Sequence, residues 1–267
     1  MRFCVLASGS KGNATFVESG PTRLLIDAGL SGKAIEGRLA AIGVDPASLS
    51  GILVTHEHHD HICGVGVLSR RFKLPVFANE ATVAAAGKSL AKLAAFTPFT
   101  TGSSFSFQDL GIHPFVVSHD AAEPVGFCID DGRVLFGYCT DTGTVSHLMR
   151  HRLARCHGLV LESNHDPLLL KDGPYPEPLK QRVRSNIGHL ANREAADLIV
   201  TLRHAAFQHV VLAHISETNN RPAQVWETVR EVLHNGGGQR LDGLPAISLA
   251  WQDRVGELVD LVAEWPR

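Results

Sequence analysis

The sequence predicts a layered α/β fold, and three observations carry that expectation. Apolar, strand-like runs alternate with helical periodicity in the first and last thirds of the chain. The middle, Phe96 to Tyr138, changes to the short alternating runs of an antiparallel sheet. Ionisable side chains stand directly after several of the apolar runs, as expected where strand ends share one rim.

Phe3 to Ala7 is an apolar run ending in Ser8-Gly9-Ser10-Lys11-Gly12-Asn13. That turn is either strand punctuation or a nest of backbone N–H groups that contacts an anion. Ala14 to Glu18 and Arg23 to Ile26 read as the next strands, joined through Ser19-Gly20-Pro21-Thr22. The second of them ends in Asp27-Ala28-Gly29, where Asp27 either shapes a turn or holds a ligand imidazole by hydrogen bond. Ser31 to Gly43 is an amphipathic helix, with Ile35, Leu39 and Ile42 on one face and a glycine to stop it. Leu49 to Thr55 reads as a buried strand, His61 to Phe72 as a helix, Leu74 to Ala78 as a strand and Ala81 to Lys92 as an Ala-rich helix.

In the middle, Phe105/Phe107, Ile112 to Val117, Val125 to Ile129 and Val134 to Tyr138 predict a second, antiparallel sheet region. Asp130-Asp131-Gly132 is its hairpin signal. Gly158 to Leu161 is then a strand running into Glu162-Ser163-Asn164-His165-Asp166, followed by a Pro-rich segment. Asn192 to Arg203 and Pro222 to His234 read as helices, the latter closed by Gly236-Gly237-Gly238, with the strand Val210 to Ala213 between them. No tandem repeat or low-complexity linker interrupts the chain, so residues 1–267 are expected to form one domain.

Composition narrows the setting. Five scattered cysteines without C-x-x-C spacing argue for reduced thiols in a cytoplasm and against a disulfide framework or zinc ribbon. No apolar run is long enough to cross a bilayer, and the N-terminus reads as a strand and not as a signal peptide. A net charge of -2 gives no global pull toward polyanions, so such a partner needs a local basic patch or metal.

The densest chemistry lies at Thr55-His56-Glu57-His58-His59-Asp60-His61, an H-x-H-x-D-H pattern delivered by a strand. His119, Asp141 and His214 also follow apolar runs, so His56, His58, Asp60, His61, His119, Asp141 and His214 are expected to converge. Imidazole and carboxylate without thiolate suit zinc, manganese or iron. Seven ligands exceed one tetrahedral ion, and two divalent ions sharing a bridging carboxylate fit the number.

This order of strand-end ligands resembles the metallo-β-lactamase superfamily, whose fold is a four-layer αββα sandwich. The resemblance implies that His56, His58 and His119 hold one metal, that Asp60, His61 and His214 hold the other, that Asp141 bridges them and that Asp27 supports the site. Leu6 to Asn13, Leu25 to Gly32, Leu161 to Asp166 and Gly188-His189-Leu190-Ala191-Asn192 resemble, more narrowly, the YycJ/WalJ group of metal-dependent DNA exonucleases. That group is similar in layout to RNase Z and the PhnP phosphodiesterases. It often has Ser where this chain has His59, a non-ligand position.

The resemblance implies a phosphodiesterase, foremost a DNA exonuclease, whose two metals activate water for attack on phosphorus. Asp60, His189 and His165 are its candidate catalytic residues, with His189 outside the metal shell and helping the leaving group. His165 alternatively supports the site from behind or opens a helix. Lys180, Arg182 and Arg184, just before His189, form either a patch for DNA or plain solvated surface. The alternative is a hydrolase of a small ester, thioester or lactam on the same metals, without need of His189.

Overall fold

Two seven-stranded mixed sheets face each other across a shared apolar core, and helices pack on the outer face of each. The structure, a computed structural model, describes residues 1–235 and 244–263. The first sheet is built by β1 (Arg2–Ala7), β2 (Ala14–Ser19) and β3 (Thr22–Ile26) and, after α1 (Gly32–Ala41), by β4 (Gly51–Leu53). Helices α2 (His59–Ile62) and α3 (Val65–Phe72) lead to β5 (Pro75–Ala78), and α4 (Glu80–Ala86) leads to β6 (Ala95–Pro98).

The second sheet repeats the scheme. Strands β7 (Phe105–Phe107), β8 (Leu110–Val116), β9 (Val125–Asp130) and β10 (Leu135–Cys139) form a meander, and α5 (His147–Leu153) leads to β11 (Gly158–Glu162). Helices α6 (Pro167–Asp172), α7 (Glu177–Val183) and α8 (Asn192–Thr201) precede β12 (His209–Ala213), and α9 (Pro222–Asn235) precedes β13 (Ala246–Leu249). Strand β14 (Val259–Asp260) returns to pair with β1. In each sheet the early strands pair antiparallel, whereas the later ones reached by helical crossovers pair parallel, and β14 adds an antiparallel edge to the first sheet.

Period-two alternation sorts the side chains. Phe3 and Val5 of β1 face the inter-sheet core with Phe127 and Phe136, while Cys4 and Leu6 face outward to Ile35 and Leu39 of α1. The rings of Phe3 and Phe136 lie 4.6 Å apart. On the opposite outer face Leu159, Leu161 and Leu212 pack against Ala195 and Ile199 of α8 and Val225 and Val229 of α9. Sheets covered on both faces have no water-facing side, which is why these strands read as nearly continuous apolar runs. The layers run helix, sheet, sheet, helix, the αββα sandwich that the sequence predicts. None of the helices is long and apolar enough to cross a membrane among the described residues.

Several boundaries differ from expectation. The helix expected over His61 to Phe72 is two helices, because Gly64 fits against the Ala28–Leu30 loop: its N–H donates to Ala28 O at 2.7 Å, and a Cβ there would stand 2.3 Å from Leu30 O. The Ala81 to Lys92 helix stops at Ala86, where Gly87 turns to φ +53°. The Leu49 to Thr55 strand shortens to Gly51–Leu53, since Thr55 N–H bonds the Asp27 side chain and not a neighbouring strand. The second sheet is mixed and not purely antiparallel, and Phe96 belongs to the first sheet through β6. The closing Gly236 to Gly238 lies outside the described residues.

Candidate metal centre

The seven side chains singled out in the sequence meet where β3, β4, β10 and β12 end and the β8–β9 connection passes. Three residues turn the chain there in the left-handed region without being glycine: Asp27 (φ +59°), Asp141 (φ +56°) and His214 (φ +53°). Asp and His are among the non-glycine residues that enter that region most readily, and three such turns are gathered here at one rim. Anchoring bonds hold these turns, with Asp27 N donating to Leu53 O at 2.8 Å and His214 N donating to Ser8 Oγ at 2.8 Å.

Four of the imidazoles have one nitrogen engaged by a protein acceptor. His61 Nδ1 lies 2.7 Å from Asp27 Oδ2, and His214 Nδ1 lies 2.8 Å from Glu162 Oε1. His119 Nδ1 lies 3.1 Å from Gly188 O, and His56 Nδ1 lies 2.9 Å from Thr55 Oγ1. This outer bond is the arrangement that orients a ligand histidine and leaves Nε2 for a metal. His58 is turned the other way, its Nδ1 standing 3.1 Å from His56 Nε2 and 3.3 Å from His119 Nε2.

Ligand atoms of His56, His58 and His119 lie within 4.8 Å of one another, as do those of Asp60, His61 and His214 and those of His56, His61 and Asp141. Asp141 reaches His61 Nε2 at 3.3 Å through Oδ2 and His214 Nδ1 at 3.2 Å through Oδ1. His214 Nε2 is buried without a hydrogen-bond partner among the described residues. A buried ring nitrogen left without a hydrogen-bond partner beside the other donor atoms is a position that a cation would complete. The donor set fits a divalent metal.

The electrostatics agree. Burial lowers the His56 pKa well below that of free imidazole, helped by the neighbouring His61, and burial likewise lowers that of His119. Burial also opposes charge on His61 and His214, but carboxylates win there: Asp141 and Asp27 hold His61 well above the usual range, and Asp141 and Glu162 raise His214 to about 9. Asp141 is held well below the usual carboxylate range, since His214 and His61 outweigh its burial. Asp141 thus stays ionised while His56 and His119 stay neutral, the protonation states in which these groups ligate a cation.

Comparison with known proteins turns this geometry into a family assignment. The signature of the β-lactamase superfamily domain matches residues 22–215. The chain belongs to the metallo-β-lactamase superfamily. Within it, the chain is 40% identical over 239 residues to a Bacillus anthracis protein named exodeoxyribonuclease YycJ, covering 89% of this chain and 90% of that one. It is also 40% identical to a Streptococcus pneumoniae protein named exodeoxyribonuclease WalJ, covering 82% of this chain and 83% of the relative. Human tRNase Z, short form, shares the fold with a TM-score of 0.66 at 14% identity, covering 98% of this chain and 99% of that one.

In this metallo-β-lactamase site an open cleft of about 230 Å³ lies over the ligands, with His58, Asp60 and His214 among its lining. His189 also lines it, and its Nδ1 lies 2.8 Å from Glu162 Oε1 and 3.8 Å from Asp141 Oδ1. Glu162 is the residue that sequence reasoning passed over. Fully buried, it accepts from Thr142 N (2.9 Å), Leu190 N (3.1 Å), His189 and His214. Burial works against its charge, but His189 and His214 lower its pKa to about 2. The available signal was the strand-end rule, since Glu162 ends β11 as His214 follows β12.

His165 stands apart. It is buried, its backbone pairs with Ala191, burial lowers its pKa to about 4, and it is not among the residues lining the cleft. His59 is exposed. Of the basic segment, Arg182 lines the cleft and pairs with Asp120 at 2.5 Å. Arg184 instead pairs with Glu177 at 3.1 Å, and Lys180 Nζ donates to Lys171 O at 2.6 Å.

Proposed function

We propose that this chain is a metal-dependent phosphodiesterase that degrades DNA from an end. The observation that carries the reading is His189, a histidine in the cleft whose Nδ1 is engaged by Glu162 and whose Nε2 has no partner among the described residues. A phosphodiester of DNA leaves behind an alkoxide that needs a proton, and a histidine so placed can give it one. The relatives named as exodeoxyribonucleases, similar over nearly their whole length, support DNA as substrate.

On this reading His56, His58 and His119 would hold one divalent ion, zinc, manganese or iron, and Asp60, His61 and His214 a second, with Asp141 shared between the two sets. Ions so held would supply Lewis acidity and lower the pKa of bound water. Glu162 accepts from His189 Nδ1, so a proton passed from His189 to the leaving oxygen is the one carried at Nε2. General-acid help of this kind is worth about 10²–10⁴-fold. Asp60 acts through the metal it holds. His165, away from the cleft, is read as a support for the Asn164–Asp166 turn and not as a proton donor. Residues 1–267 are taken as one domain, supported by the core that both sheets share. A cytoplasmic location is supported by five free cysteines.

The test is His189→Ala assayed on a bis-aryl phosphate and on labelled DNA. Metal content is expected to stay while DNA turnover falls about 10²-fold or more. The bis-aryl ester, whose leaving group needs little protonation, is expected to lose much less. Equal turnover of DNA by the variant and the parent would make His189 structural.

A further inference from the structure

The cleft over the metal ligands has two unlike walls. Imidazoles and carboxylates form one, whereas the connection between α6 and α7 and helix α7 itself contribute Tyr175 and Leu179 to the other. Tyr175 is half-buried and makes no hydrogen bond or ring contact with the described residues. The chain's other tyrosine, Tyr138, is buried in the inter-sheet core, so a structural use of tyrosine has its example there.

A second observation lies in the same cleft. Asn219 is 1% exposed, and its Oδ1 has no hydrogen-bond partner among the described residues. A Cβ added at Gly173 would stand 2.8 Å from that oxygen, so the amide sits beneath the connection that carries Tyr175. A buried amide group left unpaired is costly, and a bound polar ligand would remove the cost. Of the nearby cations, Lys180 and Arg184 are bonded within their own segment, and Arg182, which lines the cleft, pairs with Asp120. An aromatic ring, an aliphatic side chain and an amide, with no unpaired cation among the described lining residues, is the composition of a base-binding wall.

We propose that Tyr175, Leu179 and Asn219 form a nucleoside subsite. The base of the terminal nucleotide stacks on the Tyr175 ring, with Leu179 beside it. The Asn219 amide hydrogen-bonds a polar edge of the nucleoside. The adjoining phosphodiester then lies over the metal ligands and His189. A base held this way has left its duplex stack, so a paired end opens by at least its terminal pair on binding. The inference rests on the phosphodiesterase reading above.

The experiment is steady-state cleavage of single-stranded oligodeoxynucleotides by the metal-loaded protein. One set carries normal bases throughout, and the other is abasic at the last two positions of both ends. For the parent protein KM is expected to be about tenfold higher or more on the abasic set. Tyr175→Ala is expected to raise KM by a similar factor on the normal set only, with kcat within about twofold, and Tyr175→Phe to restore the parent value, because stacking needs the ring and not the hydroxyl. Asn219→Ala is expected to raise KM on the normal set by a smaller factor. An unchanged KM in Tyr175→Ala, or an equal rise on both sets, overturns the subsite while leaving the phosphodiesterase reading standing. A parent protein that cleaves neither set nor a duplex of normal bases overturns both, and one that cleaves only the duplex overturns the subsite.

Discussion

Glu162 illustrates how much one buried carboxylate can organise. Its Oε1 is shared by His189 and His214, and its Oε2 takes two backbone N–H groups, so all its lone-pair directions are used. Through these contacts it fixes the Nδ1 of both rings and leaves each Nε2 for another partner. Glu162→Gln keeps the shape but turns one oxygen into a donor in a place that holds only donors. Metal affinity is expected to fall about 10- to 100-fold, the usual effect of losing such an outer bond, as read by competition with a chelator. Unchanged affinity would mean that Ser8 and Asp141 suffice to hold His214. At this scale the sequence was most informative for residues in the dense motif, His56 to His61. It was least so for Glu162, whose partners come from positions 27 and 52 residues away.

At the scale of elements, the motif is seated by close backbone contact. Gly29 packs so tightly against the motif that a Cβ there would stand 1.6 Å from Asp60 O, and backbone cannot yield as a side-chain tip can. Gly29→Ala is therefore expected to lower metal content and to cost stability on the order of 1–3 kcal/mol, seen as a lower denaturation midpoint. A variant with full metal and an unshifted midpoint would show that the loop can move. Helix α7 makes a second element-scale prediction. Because Arg182 lines the cleft, held there by Asp120, whereas Arg184 is paired with Glu177 and is not among the cleft's lining, Arg182→Glu is expected to reduce the salt slope of DNA binding by about one, and Arg184→Glu to leave it nearly unchanged. Equal slopes for both variants would remove Arg182 from the interface. The sequence marked all three cations of this helix alike, because whether a side chain turns toward the cleft depends on the neighbours that pair with it.

For the whole molecule, the ligand sets join the two sheets. Each set takes two residues from the His56–His61 segment of the first half and one, His119 or His214, from the second. Binding metal thus favours the docked sandwich over any separated state. Metal-loaded protein is expected to hold about two ions per chain by elemental analysis. Chelation is expected to lower Tm by several degrees, recovering with added metal, as mass action requires. A Tm indifferent to chelation would mean that the inter-sheet core, with Phe3, Phe127 and Phe136 at its centre, already supplies all the docking energy.

By itself the sequence determined the layered α/β class and the residues with metal-binding chemistry. Strand periodicity and strand-end His and Asp are local properties, written within a few residues of each other. Only the tertiary structure decided which nitrogen of each imidazole is free, that Glu162 links His189 to His214, that His165 stays out of the cleft and that Tyr175 and Asn219 share it. Those facts depend on distances of a few ångströms between segments far apart in the chain. Such distances are set by how two sheets and their crossovers pack, which no local pattern of residues encodes.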